Sequence, residues 1–146
     1  MSLIGRFLSS EDVAVALDVP DKMRAFEAAA LMVEHRHHID HAAVFRALWR
    51  REQLGSTGLG HGVAVPHARI AGIREPIVAL LCTKRPIAFG APDQKPVSML
   101  FVILVPEDAN EEHLKILAAV SGLFADEDFR NRLAAANDPV AIQRMF

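Results

Sequence analysis

Along the chain, hydrophobic positions recur with two periods, and each period marks an element. From Val13 to Val19 branched residues occupy every second position, the spacing of a half-buried strand. Pro20-Asp21 ends that run, and Asp21 is placed to cap a helix from Lys22 to about Glu34, with Phe26, Ala29, Ala30 and Val33 on one face. A second helix is predicted from Asp40, turning Val44, Phe45, Leu48 and Trp49 inward and closing at Arg50-Arg51-Glu52, whose cations suit a helix C-terminus. A glycine-dense loop, Gly55–Gly62, leads to a short strand over Val63–Val65 that Pro66-His67 stops. The runs Ile77–Thr83 and Val97–Val105 are apolar without a break, which predicts central strands covered on both faces. Pro86–Pro96, rich in proline and glycine, reads as their connection. From Asn110 the chain is helical: Leu114, Leu117, Ala118 and Leu123 recur at helical spacing, and shorter helices follow over Asp126–Ala136 and Asp138–Phe146. Strands between early and late helices predict a single three-layer α/β/α domain over residues 1–146.

Composition narrows the function. At 146 residues, with 51% hydrophobic and 23% charged residues, the chain can bury a core without a disulfide or metal staple. A net charge of −2 gives no bulk electrostatic case for nucleic acid or an anionic membrane. No apolar run reaches the roughly 20 residues of a spanning helix, and the start lacks the layout of a signal peptide, so a soluble cytoplasmic protein is expected. The lone Cys82, in mid-strand, is expected to be inert.

The glycine loop invites a phosphate reading, because residues without Cβ let backbone N–H groups converge on an anion. Two nucleotide motifs fail there. Counting from Gly55, a P-loop would need lysine after Gly60, where His61 stands; a dinucleotide fingerprint from Gly58 or Gly60 would need glycine at Val63 or Val65. Beyond the loop stands His67, held by Pro66 at a strand end; a neutral imidazole is a competent nucleophile toward phosphorus. A second histidine, His113, opens a helix behind Glu111 and Glu112. Spacing alone does not separate a catalytic histidine from a structural one. The run from His35 to His41 holds zinc-type ligands, but its spacing matches no common closed site, and it reads as a solvated connection between helices.

At Gly55-Ser-Thr-Gly-Leu-Gly-His-Gly-Val-Ala-Val-Pro-His67 the chain resembles the enzyme IIA domain of the fructose–mannitol class of the bacterial phosphotransferase system. Pro86-Ile-Ala-Phe, Pro96-Val97 and Glu112-His-Leu-Lys-Ile-Leu117 extend the likeness along nearly the whole chain, and Gly-Ser-Thr-Gly resembles the nitrogen-regulatory branch. The resemblance implies a mixed central sheet of the mannitol-specific IIA type and a phosphotransferase in which His67 is the phosphorylated nucleophile. It implies that His113 faces His67 across the site and that Arg51 helps hold the phosphoryl group. Ser56, Thr57, Gly58 and Gly60 would complete a phosphoryl cradle with their backbone N–H groups. The implied donor is a phosphohistidine carrier protein of the HPr type, with no metal or nucleotide cofactor. The implied output is regulation of partners such as potassium transport or sensor components; a sugar-specific enzyme IIA feeding a transporter B domain is the alternative. Two positions depart from the pattern: Ala68 stands where glycine is usual, which puts a backbone contact there in doubt, and His61 where asparagine is common.

Overall fold

A computed structural model describes residues 2–146. A single 3₁₀ turn at Ser10–Asp12 leads into β1 (Val13–Leu17). Helix α1 (Lys22–His37) starts on its predicted cap, the Asp21 carboxylate accepting the Arg24 N–H, and helix α2 (His41–Leu54) starts one residue after Asp40, which caps it by accepting the Ala42 N–H. Three short strands follow: β2 (Gly58–Gly60), β3 (Val63–Ala64) and β4 (His67–Ile70). The long strands β5 (Ile77–Ile87) and β6 (Val97–Pro106) precede α3 (Glu111–Phe124), α4 (Glu127–Ala135) and α5 (Pro139–Gln143).

The sheet runs β1-β5-β6-β3-β2, with β4 also paired to β6. It is mixed: β1 lies parallel to β5, β5 antiparallel to β6, and β3 and β4 both parallel to β6. Alternation along the two long strands sorts their side chains between two cores. Ala79, Leu81, Leu100, Val102 and Leu104 pack against α1 and α2, whereas Leu80, Phe101 and Ile103 pack against α3, α4 and α5. This is the predicted three-layer arrangement.

Several boundaries moved for physical reasons. Pro66-His67 does not stop the strand but punctuates it. Proline has no N–H for the ladder, yet its carbonyl accepts the Ile103 N–H at 2.9 Å, and pairing with β6 resumes at His67 opposite Ile103. Ala68 lies in that resumed strand, so no left-handed turn follows the histidine. The glycine loop contains β2, and β5 continues through Pro86 to Ile87 beyond an irregularity that starts at Cys82. On α3 the buried positions are Ile116, Val120 and Phe124; Leu114, Leu117 and Leu123 are only partly covered. Phe45 and Trp49 are likewise half-buried, stacked on one another with centroids 5.7 Å apart. The last helix is five residues long, not nine.

The histidine-rich run spans the last turn of α1, the short connection His38–Asp40 and the first residue of α2. His38 takes the left-handed C-cap conformation of α1, and the Glu34 carboxylate accepts both the backbone N–H and the ring Nδ1–H of His41 at 2.8 Å. That carboxylate raises the His41 pKa from its ordinary 6.5, while burial lowers that of His37. Glu34, held by the same bonds, is lowered from 4.5. The His41 contribution is complete below its unfolded value and lost as pH rises through the folded one; that of Glu34 is lost as pH falls through its own folded value. An NMR titration of the imidazole protons is expected to place His41 above 6.5 and His37 below it, whereas coincident midpoints would contradict this packing.

Candidate active site

The site forms where α2, the glycine loop and the β3–β4 junction meet the exposed side of α3. His67 lies between two adjoining hollows. One, of about 500 Å³, is lined by Arg50, Arg51 and Leu54 of α2, Arg69 of β4, and Leu114 and Leu117 of α3. The other, of about 230 Å³, is lined by Arg51, Ser56, Thr57, Gly58 and Leu59 together with Leu117 and Ser121. Arg51 and His67 belong to both.

The His67 ring is fixed by one bond. Its Nδ1 lies 2.8 Å from the Val65 carbonyl oxygen. A carbonyl only accepts, so Nδ1 carries the proton and Nε2 carries the lone pair of the neutral ring. Arg51, in the last turn of α2, donates from Nη1 to the Gly55 carbonyl at 2.9 Å, which holds its guanidinium against the mouth of the loop.

The loop itself differs from a simple N–H cradle. The Gly55 N–H caps α2 on Glu52 O, the Thr57 N–H is taken by the Glu52 carboxylate, and the Gly58 N–H by Ser56 Oγ. Thr57 Oγ1 also donates to Glu52, so the predicted phosphoryl-binding donors of Thr57 and Gly58 are already spent. Ser56 keeps its hydroxyl hydrogen for another acceptor. Gly58 is glycine for space, since a Cβ there would lie 2.7 Å from that of Ala91. Gly60, at φ +90°, turns toward Asp93 and lines neither hollow. His61 adopts φ 57°, with its N–H bound to Asp93. Asparagine and histidine both tolerate the left-handed region, which accounts for the exchange at this position.

His113 is not brought face to face with His67 here. It is the third residue of α3, where its Nδ1 accepts the Asn110 N–H while Asn110 Oδ1 accepts the His113 N–H. This reciprocal cap directs the ring into a different hollow, beside Arg6, Phe7, Glu75 and Ile116. Glu112, beside it, pairs with Lys115 at 2.7 Å, and that ammonium lowers its pKa.

Elsewhere, Glu34, Asp40 and His41 bring metal-type ligand atoms within 4.8 Å of one another among the described residues; the caps described above account for where these groups point. Burial raises the Cys82 thiol to about 11, the inert state expected of it. A residue beside the site that the sequence did not single out is Glu52, which holds Thr57 of the glycine loop. It is a buried carboxylate whose only sequence signal is its place beside Arg51, on a helix face otherwise bound for the core.

The description "Phosphoenolpyruvate-dependent sugar phosphotransferase system, EIIA 2" matches residues 6–146. The chain belongs to this family. It is 41% identical over 125 residues to the "Nitrogen regulatory protein" of Pseudomonas aeruginosa, covering 85% of this chain and 81% of that one. It is 39% identical over 104 residues to the "PTS system fructose-specific EIIA component" of Haloferax volcanii, covering 71% and 68%. The crystal structure of the nitrogen regulatory protein IIA-Ntr from Neisseria meningitidis superposes with a TM-score of 0.93 at 42% identity, covering 99% of each chain. As an EIIA 2 protein the chain is a phosphoryl carrier of the phosphotransferase system, and its fold is that of its relatives. No helix among the described residues is long and apolar enough to cross a membrane.

Proposed function

We propose that this EIIA protein acts as a single cytoplasmic unit of the nitrogen-regulatory type, accepting a phosphoryl group on His67 Nε2 and signalling through the phosphorylated state. The observation that carries the reading is the bond from His67 Nδ1–H to the Val65 carbonyl, which leaves Nε2 as the nucleophile beside Arg51.

The donor is a phosphohistidine carrier protein of the HPr type. The lone pair of His67 Nε2 forms the new N–P bond as the donor's N–P bond breaks, and the departing electron pair returns to the donor's ring nitrogen. The His67 ring thereby becomes a phosphoimidazolium, and its Nδ1–H···O=C bond becomes charge-assisted, so it strengthens as the reaction proceeds. The Arg51 guanidinium and the Ser56 hydroxyl face the phosphoryl oxygens, where positioning and charge stabilisation carry most of the catalysis. His113 contributes by leaving its Asn110 cap and turning toward Leu114, its neighbour on α3 that does line the His67 hollow. No metal or nucleotide takes part. The regulated partners are of the kind the family implies, such as potassium transport or sensor components.

Incubation with phosphoenolpyruvate and the general phosphotransferase proteins is expected to add one acid-labile phosphate, mapped to His67 by peptide mass spectrometry. An unmodified protein would refute the reading. The likeness to a fructose-specific relative favours a second reading, in which the phosphate passes to a transporter B domain. Rapid dephosphorylation by an isolated fructose B domain would select it.

Arg51→Lys keeps the charge and loses the planar fork. Transfer is expected to slow about tenfold, the loss of one charge-assisted bond, with the unfolding midpoint unchanged. An unaltered rate would reduce Arg51 to a helix-end residue that binds the Gly55 carbonyl.

A further inference from the structure

Behind the loop lies an ion pair whose placement breaks two local rules. Lys22 is the first residue of α1, a cation at the positive end of a helix dipole; Glu52 sits in the last turn of α2, an anion at the negative end. The Glu52 side chain is fully buried and lies 2.6 Å from Lys22 Nζ. Lys22 Nζ also donates to the Phe89 carbonyl at 2.8 Å and lies 4.3 Å from the centre of the Phe89 ring. Burying the Glu52 half of such a pair, with the Lys22 side chain still 21% exposed, brings little net stability, because desolvation offsets the attraction. Its partners point to another use.

The remaining acceptor capacity of Glu52 goes to Thr57, through both the N–H and the hydroxyl. The Thr57 carbonyl accepts the Val65 N–H at 2.9 Å, and the Val65 carbonyl accepts His67 Nδ1–H at 2.8 Å. A continuous chain of hydrogen bonds therefore runs from the buried Glu52 carboxylate to the imidazole.

We infer that Glu52, held by Lys22, is a positioning residue for His67: by clamping Thr57 it fixes Val65, and so the carbonyl that sets the tautomer and aim of the ring. Glu52 touches no reacting atom. Its anionic form is required because only a carboxylate accepts from Lys22, the Thr57 N–H and the Thr57 hydroxyl together. The inference deepens the proposed role of His67, but its structural part, the tautomer, is measurable without any phosphoryl donor.

The test uses Glu52→Gln, which keeps the shape, and Lys22→Met/Glu52→Gln, which also removes the unpaired cation. Each is compared with the unaltered protein by ¹⁵N NMR of the His67 ring and by phosphorylation with phosphoramidate, a donor too small to need docking. The unaltered protein should show Nδ1 protonated and Nε2 bare. Both variants should show mixed tautomers and a rate about tenfold to a hundredfold lower, the scale of a reacting group misplaced by about 1 Å. The double variant should keep its unfolding midpoint. A wild-type tautomer and rate in both variants would overturn the inference. So would a rate that falls only in proportion to the folded fraction. If the unaltered protein takes no phosphate on His67, the functional reading fails, and the tautomer comparison alone decides the role of Glu52.

Discussion

His67→Ala is expected to take up no phosphoryl group from a phosphorylated carrier protein while unfolding at the wild-type midpoint. The two halves of that result have separate causes. His67 supplies the lone pair, and no other imidazole lines the two hollows that meet at Arg51. Its place in the fold is secured by backbone pairing with β6, opposite Ile103, which an alanine keeps. The imidazole contributes one bond to Val65, and its removal falls in the small range of changes outside the core. Mass spectrometry of intact protein at low and neutral pH reads the first half, urea unfolding the second. His113→Ala serves as the control and should still carry phosphate on His67. A charge-assisted bond to the phosphoryl group is worth about 1.5–3 kcal/mol. Reaching it costs the bond from the Asn110 N–H to the ring, typically about 1 kcal/mol, so the net slowing should be roughly tenfold. Phosphate recovered from His113 in the unaltered protein would invert the assignment.

The largest loss of stability is expected from Phe101→Ala. Phe101 is completely buried in β6, with ring centroids 6.1 Å from Phe124 and 5.4 Å from Phe146, and both of those rings also pack on Phe129. Alanine would leave a cavity that three elements and the C-terminal Phe146 cannot close together, at a cost of roughly 3–5 kcal/mol. Against a total of about 5–15 kcal/mol for a typical domain, that is a large share. Leu54→Ala, at a position 83% exposed, should change stability by less than about 0.5 kcal/mol. Urea midpoints measured side by side check the contrast, and equal shifts would mean that the core has been misplaced.

The elements that the sequence announced were those whose own residues carry the signal. Asp21 and Asp40 cap helices because a carboxylate accepts N–H bonds wherever a helix begins. The two apolar runs became central strands because helices cover both of their faces. What stayed hidden depends on partners distant in sequence. Strand β4 could not be read from His-Ala-Arg-Ile, since it exists only because β6 offers it a ladder. The orientation of His113 is the local exception, since Asn110, three residues earlier, captures its ring. His67 and Arg51 were proposed through family likeness; the structure brings both to the same two hollows and adds the bond that leaves Nε2 free. Glu52 was illegible in principle: its meaning lies in Lys22, thirty positions away, and in a loop it holds from behind.

The unequal anchoring of the sheet has a kinetic consequence. Strand β6 is paired along both edges and covered on both faces, so its amides exchange with solvent only when the whole domain opens. Strand β2, three residues long, hangs at the sheet's margin on two-residue β3 alone. Its amides belong to the least protected class, open to local fluctuation without loss of the fold. His67 thus opens a strand that leans on this slowly exchanging β6, whereas the glycine-rich margin beyond Thr57 can open locally while the rest of the sheet stays closed.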